Sequence, residues 1–189
     1  MLSGVFGLSE NVRALIGRRV ELTTLSCTVV VSSMRSTARA DQRYRCLWRS
    51  GDCREERASS TVLASGGWRW EIPSHAGPVV AGPRGELPLD AMTDPRTMIE
   101  DCDVRLVDDD ATYEGRAALV VEVERPRSVR GYDRVLTLDA EFGIVLVDRD
   151  LVSGREVRLV GVRFDEELDP GLFDYRPEPW RTVIHAQPC

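Results

Sequence analysis

Lysine is absent from this chain of 189 residues: all 25 basic side chains are arginine, set against 31 acidic ones. That absence excludes a lysine Schiff base, a phosphate-loop lysine and a lysine general base. Asparagine occurs once, as Asn11, and with arginine and alanine plentiful the skew reads as codon bias. Histidine is almost as scarce, with His75 in a loop-like stretch and His185 near the end. Without a Gly-x-Ser-x-Gly elbow or a histidine beside a nucleophile, no hydrolytic triad can be assembled. Neither Gly-x-Gly-x-x-Gly nor Gly-x-x-x-x-Gly-Lys occurs, so no phosphate cradle is encoded. The acidic residues Glu100, Asp101, Asp103 and Asp108 to Asp110 lack the glycine and closing glutamate of a calcium loop and read as a solvated turn. Cys46 and Cys53 are too far apart in sequence for a zinc knuckle, and no cofactor is expected.

Long apolar runs are missing too, so no helical membrane span is expected. The net charge of −6 argues against nucleic acid and anionic lipid surfaces as partners. The five cysteines, Cys27, Cys46, Cys53, Cys102 and Cys189, form an odd set. The first residues lack the basic and long apolar regions of a signal peptide, and no lipobox cysteine lies near the start. Free thiols and a cytoplasmic location are therefore expected, or export if the true start lies upstream.

What is present reads as one domain over 1–189, with a core of about 8–178 and a tail of 179–189. Ser9 is an N-cap, and Val12, Leu15, Ile16 and Val20 follow at helical spacing, so a helix is expected over roughly 9–20. From Leu22 the β-branched run suits a strand covered on both faces. Residues 43–50 alternate: Tyr44, Cys46 and Trp48 fall on one face, Arg43, Arg45, Leu47 and Arg49 on the other. Gly51-Asp52 marks a hairpin, with Cys53 to Ala64 returning, and Gly66-Gly67 marks the next turn. In 68–72, Trp68, Trp70 and Ile72 oppose Arg69 and Glu71. With Trp48, this predicts three tryptophans on inward faces of neighbouring strands, with the arginines outside.

Residues 73–95 carry Pro73, Pro78, Pro83 and Pro88 and are expected to form a long loop. Asp94-Pro95 then starts a short helix to about Asp101 that presents Met98 and Ile99, and loop plus helix suit a lid. Beyond Val104, glycine-bearing turns every 12 to 14 residues separate strands over 116–124, 132–140, 144–151 and 155–164, an antiparallel meander. Asp169-Pro170-Gly171-Leu172-Phe173 closes the chain with a helical turn able to pack Leu172 and Phe173 on the sheet. The fold class is α+β, mostly β. Tyr44, Trp48, Trp68 and Trp70 either pack against the N-terminal helix or line a space for an apolar ligand.

The order of these elements, with Ala64-Ser65-Gly66-Gly67-Trp68-Arg69-Trp70-Glu71-Ile72-Pro73, Thr112-Tyr113-Glu114-Gly115-Arg116, Leu136 to Ile144 and Leu168 to Pro177, resembles the lipoprotein-localisation superfamily of LolA, LolB and RseB. The resemblance covers roughly 8–178. It implies a half-open β-barrel, a large curved antiparallel sheet wrapped around the N-terminal helix and a short lid helix, with an apolar cavity. It implies a noncatalytic protein that binds a lipid, acyl chain or other hydrophobic ligand, the cavity lined by Tyr44, Trp48, Trp68, Trp70 and Met98. The alternative is a regulatory protein-interaction module of the RseB type.

Overall fold

The computed structural model describes residues 15, 22–33, 41–85, 87–99, 101–124 and 133–186. Twelve strands dominate: β1 (Thr24–Ser33), β2 (Gln42–Arg49), β3 (Asp52–Glu56), β4 (Ser60–Ser65), β5 (Trp68–Pro73), β6 (Val79–Pro83), β7 (Asp103–Tyr113), β8 (Arg116–Glu124), β9 (Arg134–Asp139), β10 (Val145–Asp150), β11 (Arg155–Phe164) and β12 (Val183–His185). Two short helices, α1 (Pro88–Thr93) and α2 (Arg96–Ile99), and a 3-10 turn (Pro170–Phe173) complete the described elements. The strands form one sheet in the order β12-β6-β5-β4-β3-β2-β1-β11-β10-β9-β8-β7. The fold is mostly β, and among the described residues the sheet's order ends at β12 on one side and β7 on the other, with no pairing that closes it. Of the helix expected over 9–20, Leu15 is helical and buried; its other residues lie outside the described ones.

The chain divides into two compact units. One contains 90–160, 31–42 and Leu15. Here β7 to β10 and the first half of β11 run as the expected meander. Val121, Val123, Leu136, Leu138 and Val145 are fully buried and share a face through the pairs Val121↔Leu136 and Leu138↔Val145. The acidic run Asp108 to Asp110, expected in a turn, is strand instead. It belongs to β7, the last strand in the order, and an end strand accommodates exposed charge that also discourages further pairing.

At the β9–β10 corner Gly143 takes φ +70°, and a Cβ there would stand 3.0 Å from the Leu15 carbonyl oxygen. Both left-handed backbone and close approach therefore require glycine. Gly143→Ala should lower stability by about 2 kcal/mol, read as a lower urea midpoint with unchanged slope.

The other unit contains 22–30, 43–89 and 161–186. Both glycine-marked hairpins form, but the first turns at Ser50-Gly51 rather than at the expected Gly51-Asp52, since Asp52 already pairs with Arg49 in the ladder. Ser50 and Gly51 take φ of 41° and 97°, Gly66 and Gly67 take 58° and 83°, the left-handed pair of a two-residue hairpin turn. The stretch read as one returning strand is two, β3 and β4, joined through Arg57 to Ser59. The stretch 73–95 is not one long loop. It holds β6, which pairs antiparallel with β5 and parallel with β12. Pro78 precedes β6 and Pro83 ends it, positions where a missing N–H does least harm to a ladder. The tail contributes β12, a pairing the antiparallel expectation lacked. The closing turn packs as expected: Phe173 is buried with Leu47 and Leu63, and Trp70, Leu168, Leu172 and Tyr175 pack around them.

Candidate ligand-binding face

Residues directly opposite each other on paired strands point to the same side, so the register of β2 to β6 fixes which side chains meet. Trp48 lies opposite Cys53, Cys53 opposite Ala64, and Ala64 opposite Arg69. Cys46 lies opposite Glu55, Glu55 opposite Val62, and Val62 opposite Glu71. By alternation Tyr44 joins this first face. The second face runs through Leu47, Arg54, Leu63, Trp70 and Ala81. Trp68, opposite Ser65 and Pro83, belongs to it. The three tryptophans thus do not share a face, and Arg69 stands on the side of Trp48. Met98 is on α2 in the other unit.

The first face has a closed centre and open rings at its margin. Cys46, Cys53, Glu55, Val62 and Ala64 have no exposed surface, whereas Tyr44 and Trp48 are half-buried. Glu55 is a buried carboxylate whose Oε2 accepts from Arg57 Nε at 3.0 Å and Nη2 at 2.5 Å. Its Oε1 has no hydrogen-bond partner. The Arg57 guanidinium also lies 5.5 Å from the Tyr44 ring centre, within cation–π range. Burial works against the charge of Arg57, but the hydrogen bond and charge of Glu55 outweigh it and raise its pKa.

Cys46 and Cys53 place their sulfurs 3.5 Å apart, and Cys27 is buried within electrostatic reach of both. The hydrogen bond to Cys53 and then burial raise the Cys46 pKa. Burial, then the neighbouring Cys53, push Cys27 up to about 12. An ionised unfolded thiol and a neutral folded one favour unfolding at high pH. The contribution of Cys27 is therefore whole below its unfolded value of 9.0 and is lost as pH rises toward about 12. Thiol titration at pH 8 should label half-buried Cys102 at once and Cys27, Cys46 and Cys53 only on unfolding; prompt labelling of all four would contradict the burial.

The second face carries an aromatic row. Trp68 and Trp70 have ring centres 6.4 Å apart, Tyr175 meets Trp70 edge-on at 5.5 Å, and His185 meets Trp68 edge-on at 6.5 Å. Arg49, expected on a wet face, lies 4.6 Å from the centre of the buried Phe173 ring, and its neighbour Leu47 has no exposed surface. Trp68 remains 49% exposed, Ile184 on β12 49%, and Trp180 70%. The parts played by Tyr175, just after the closing turn, and by His185 in the tail were not foreseen from the sequence. Alternating residues of a three-residue strand carry too little pattern to reveal the latter.

Among the described residues no three His, Cys, Asp or Glu side chains gather as a metal site, and no helix is long and apolar enough to cross a membrane. No family model matches the chain, and no curated protein matches it. Solved structures do. MucB is 16% identical with a TM-score of 0.51, the match covering 89% of this chain and 62% of MucB. PNGF-II is 10% identical with a TM-score of 0.46 over 87% of this chain and 32% of that one. A LolA superfamily protein from Nitrosomonas europaea is 13% identical with a TM-score of 0.39 over 87% and 96%. The chain spans less than two thirds of MucB, and at this identity the likeness is one of fold alone.

Proposed function

We propose that this is a noncatalytic binding protein that holds a lipid, an acyl chain or another hydrophobic ligand against the first face. One observation supports this above others. Tyr44 and Trp48 are half-buried rings on the same side as the wholly buried Cys46, Cys53, Val62 and Ala64, so a surface that is apolar apart from the buried Glu55 runs from a closed centre to accessible aromatics. Such rings offer large contact area with little loss of side-chain freedom. The LolA/RseB-like fold agrees with a binding role.

Native mass spectrometry of the purified protein, with lipid extraction, tests the reading. A copurified lipid is expected, and a spin-labelled fatty acid should quench tryptophan emission saturably. Trp48→Ala should weaken that binding about tenfold, the equivalent of roughly 1.4 kcal/mol, while Trp68→Ala leaves it unchanged. No copurified ligand and no saturable quenching would refute it.

A second reading, a protein-interaction module of the RseB type, is favoured by the exposure of Trp68, Ile184 and Trp180 in the unit that holds the aromatic row. Aromatic side chains at a surface are the commonest anchors of protein contacts. Under that reading Trp68→Ala and Trp180→Ala abolish capture of a stoichiometric partner from the native host, and Trp48→Ala does not.

A further inference from the structure

The β2–β3 hairpin holds two thiols on one face at non-bonded contact, Cys46 Sγ to Cys53 Sγ 3.5 Å, both without exposed surface. Cys46 is paired with Glu55 and Cys53 with Trp48, so the thiols are diagonal neighbours rather than direct opposites. A flat diagonal pair, at about 7–8 Å, lies just beyond the separation of about 6.8 Å that a disulfide spans, so closure needs the hairpin to draw the two residues together. The right-handed twist of paired strands changes the distance along that diagonal, and the 3.5 Å sulfur–sulfur contact places the side chains already aimed at each other. The turn between them, Ser50-Gly51, has the left-handed conformation of a tight hairpin, which holds the two strands in that register.

We infer that Cys46 and Cys53 are a disulfide-forming pair, closed by an external disulfide acting as oxidant, that covalently locks the β2–β3 hairpin beside Trp48. One thiol loses its proton and attacks the oxidant's S–S bond, giving a mixed disulfide and releasing one sulfur of the oxidant as a thiol. The second thiol loses its proton and attacks the protein sulfur of that mixed disulfide. The Cys46–Cys53 bond forms, and the oxidant leaves as two thiols, or one dithiol, having gained two electrons and two protons.

Burial governs when this happens. A neutral, covered thiol is a poor nucleophile, so exchange proceeds while the hairpin is open, during folding or a local opening, and the folded protein then preserves whichever state was set. Cys27 is the competing thiol. It lies on β1, outside the hairpin, so pairing with it would tie β1 to the hairpin and leave β2 and β3 unlinked to each other.

The test uses the full chain, reduced and then incubated with oxidised dithiothreitol in urea just below the unfolding midpoint. The expected product has lost two hydrogens. Trypsin then yields a linked pair of peptides, Cys46 to Arg49 joined to Ser50 to Arg54, absent after reduction. The locked protein unfolds at higher urea than the reduced one. Cys27→Ala should form the same link to the same extent, and Cys53→Ala should form none at Cys46. Full alkylation of Cys46 and Cys53 after oxidation, or a link from either to Cys27, would overturn the assignment.

Discussion

Phe173→Ala is expected to destabilise the protein by about 3–5 kcal/mol, the range found for removing a buried phenylalanine. Phe173 is 3% exposed and meets Leu47 and Leu63, themselves at 0% and 1%. No neighbouring side chain is free to refill the space, because Leu47 and Leu63 are held on paired strands by the β2–β3 and β3–β4 ladders. The same ring lies beneath the Arg49 guanidinium, and the carbonyl of the preceding Leu172 accepts from Arg54 Nη1 at 3.1 Å. The substitution therefore loosens the 3-10 turn as well as opening a cavity. Against a typical total of about 5–15 kcal/mol, this loss is large enough to unfold a sizeable fraction at 37 °C. Urea unfolding followed by circular dichroism gives the magnitude, and tryptophan emission reports whether Trp70 loses its packing against Tyr175. Leu172→Ala, at a half-buried position, serves as the milder comparison and should cost about a third as much. Equal midpoints for wild type and Phe173→Ala would mean that the C-terminal segment does not contribute to the core.

The second large effect is expected at Asp139. This carboxylate is wholly buried, and each oxygen has work. Oδ2 accepts from Arg116 Nε at 2.6 Å; Oδ1 accepts from the backbone N–H groups of Glu141 at 3.0 Å and Phe142 at 2.8 Å. The first contact ties β9 to β8, and the other two shape the corner that leads to Gly143. Asp139→Ala strands two amides and leaves the Arg116 guanidinium with its longer carboxylate contact, to Glu141 at 3.4 Å. Breaking a buried ion pair costs about 3–5 kcal/mol, but Arg116 is 30% exposed and water recovers part of that loss. A net cost of about 3 kcal/mol follows, including roughly 1 kcal/mol for each lost amide bond. Asp139→Asn keeps an acceptor for the amides and discards only the charge, so it should cost about half as much. If the two variants were equally destabilised, loss of the Asp139 charge that faces Arg116 would be the whole effect and the corner amides would count for nothing. The Arg116 pKa is raised first by its hydrogen bond to Asp139, with burial opposing and the charges of Asp139 and Glu141 adding to the rise, so both variants also relax that shift.

Much of the architecture follows from local pattern. Period-two alternation located β2, β5 and β8, Gly51 and the Gly66-Gly67 pair located two hairpins, the first to within one residue, and Asp169-Pro170 located the closing turn, where the Asp169 side chain caps the Gly171 N–H at 2.8 Å. The relation between strands was harder to see. Alternation assigns residues to two sides within one strand, but the phase between neighbours depends on how many residues each turn consumes. The two-residue turns carry that count: Ser50-Gly51 sets Arg49 opposite Asp52 and thereby Trp48 opposite Cys53, and Gly66-Gly67 sets Ser65 opposite Trp68 and thereby Leu63 opposite Trp70. The break at Arg57 to Ser59 carried no glycine or proline, so β3 and β4 merged and the phase between the two tryptophan-bearing strands was lost. β6 and β12 escaped for a different reason. Each is brief and flanked by proline, and their partnership links segments far apart in sequence. For the same reason, Trp68 and Trp70 were placed beside Trp48 when they face the tail.

The parallel pairing of β12 on β6 also sets an order of events during synthesis. Val79 and Ala81 have no exposed surface in the finished protein. Their strand receives its outer partner through Val79 N–H to the Thr182 carbonyl and Ala186 N–H to the Ala81 carbonyl. A ribosome extends a chain by about 5–20 residues each second, and everything from α1 to β11 is translated between the two strands. For several seconds β6 is an uncapped hydrophobic border, the kind of template on which nascent chains stick to one another. Pro78 before β6 and Pro83 at its end shorten that border, and β12, made after every other described strand, is the one that seals it.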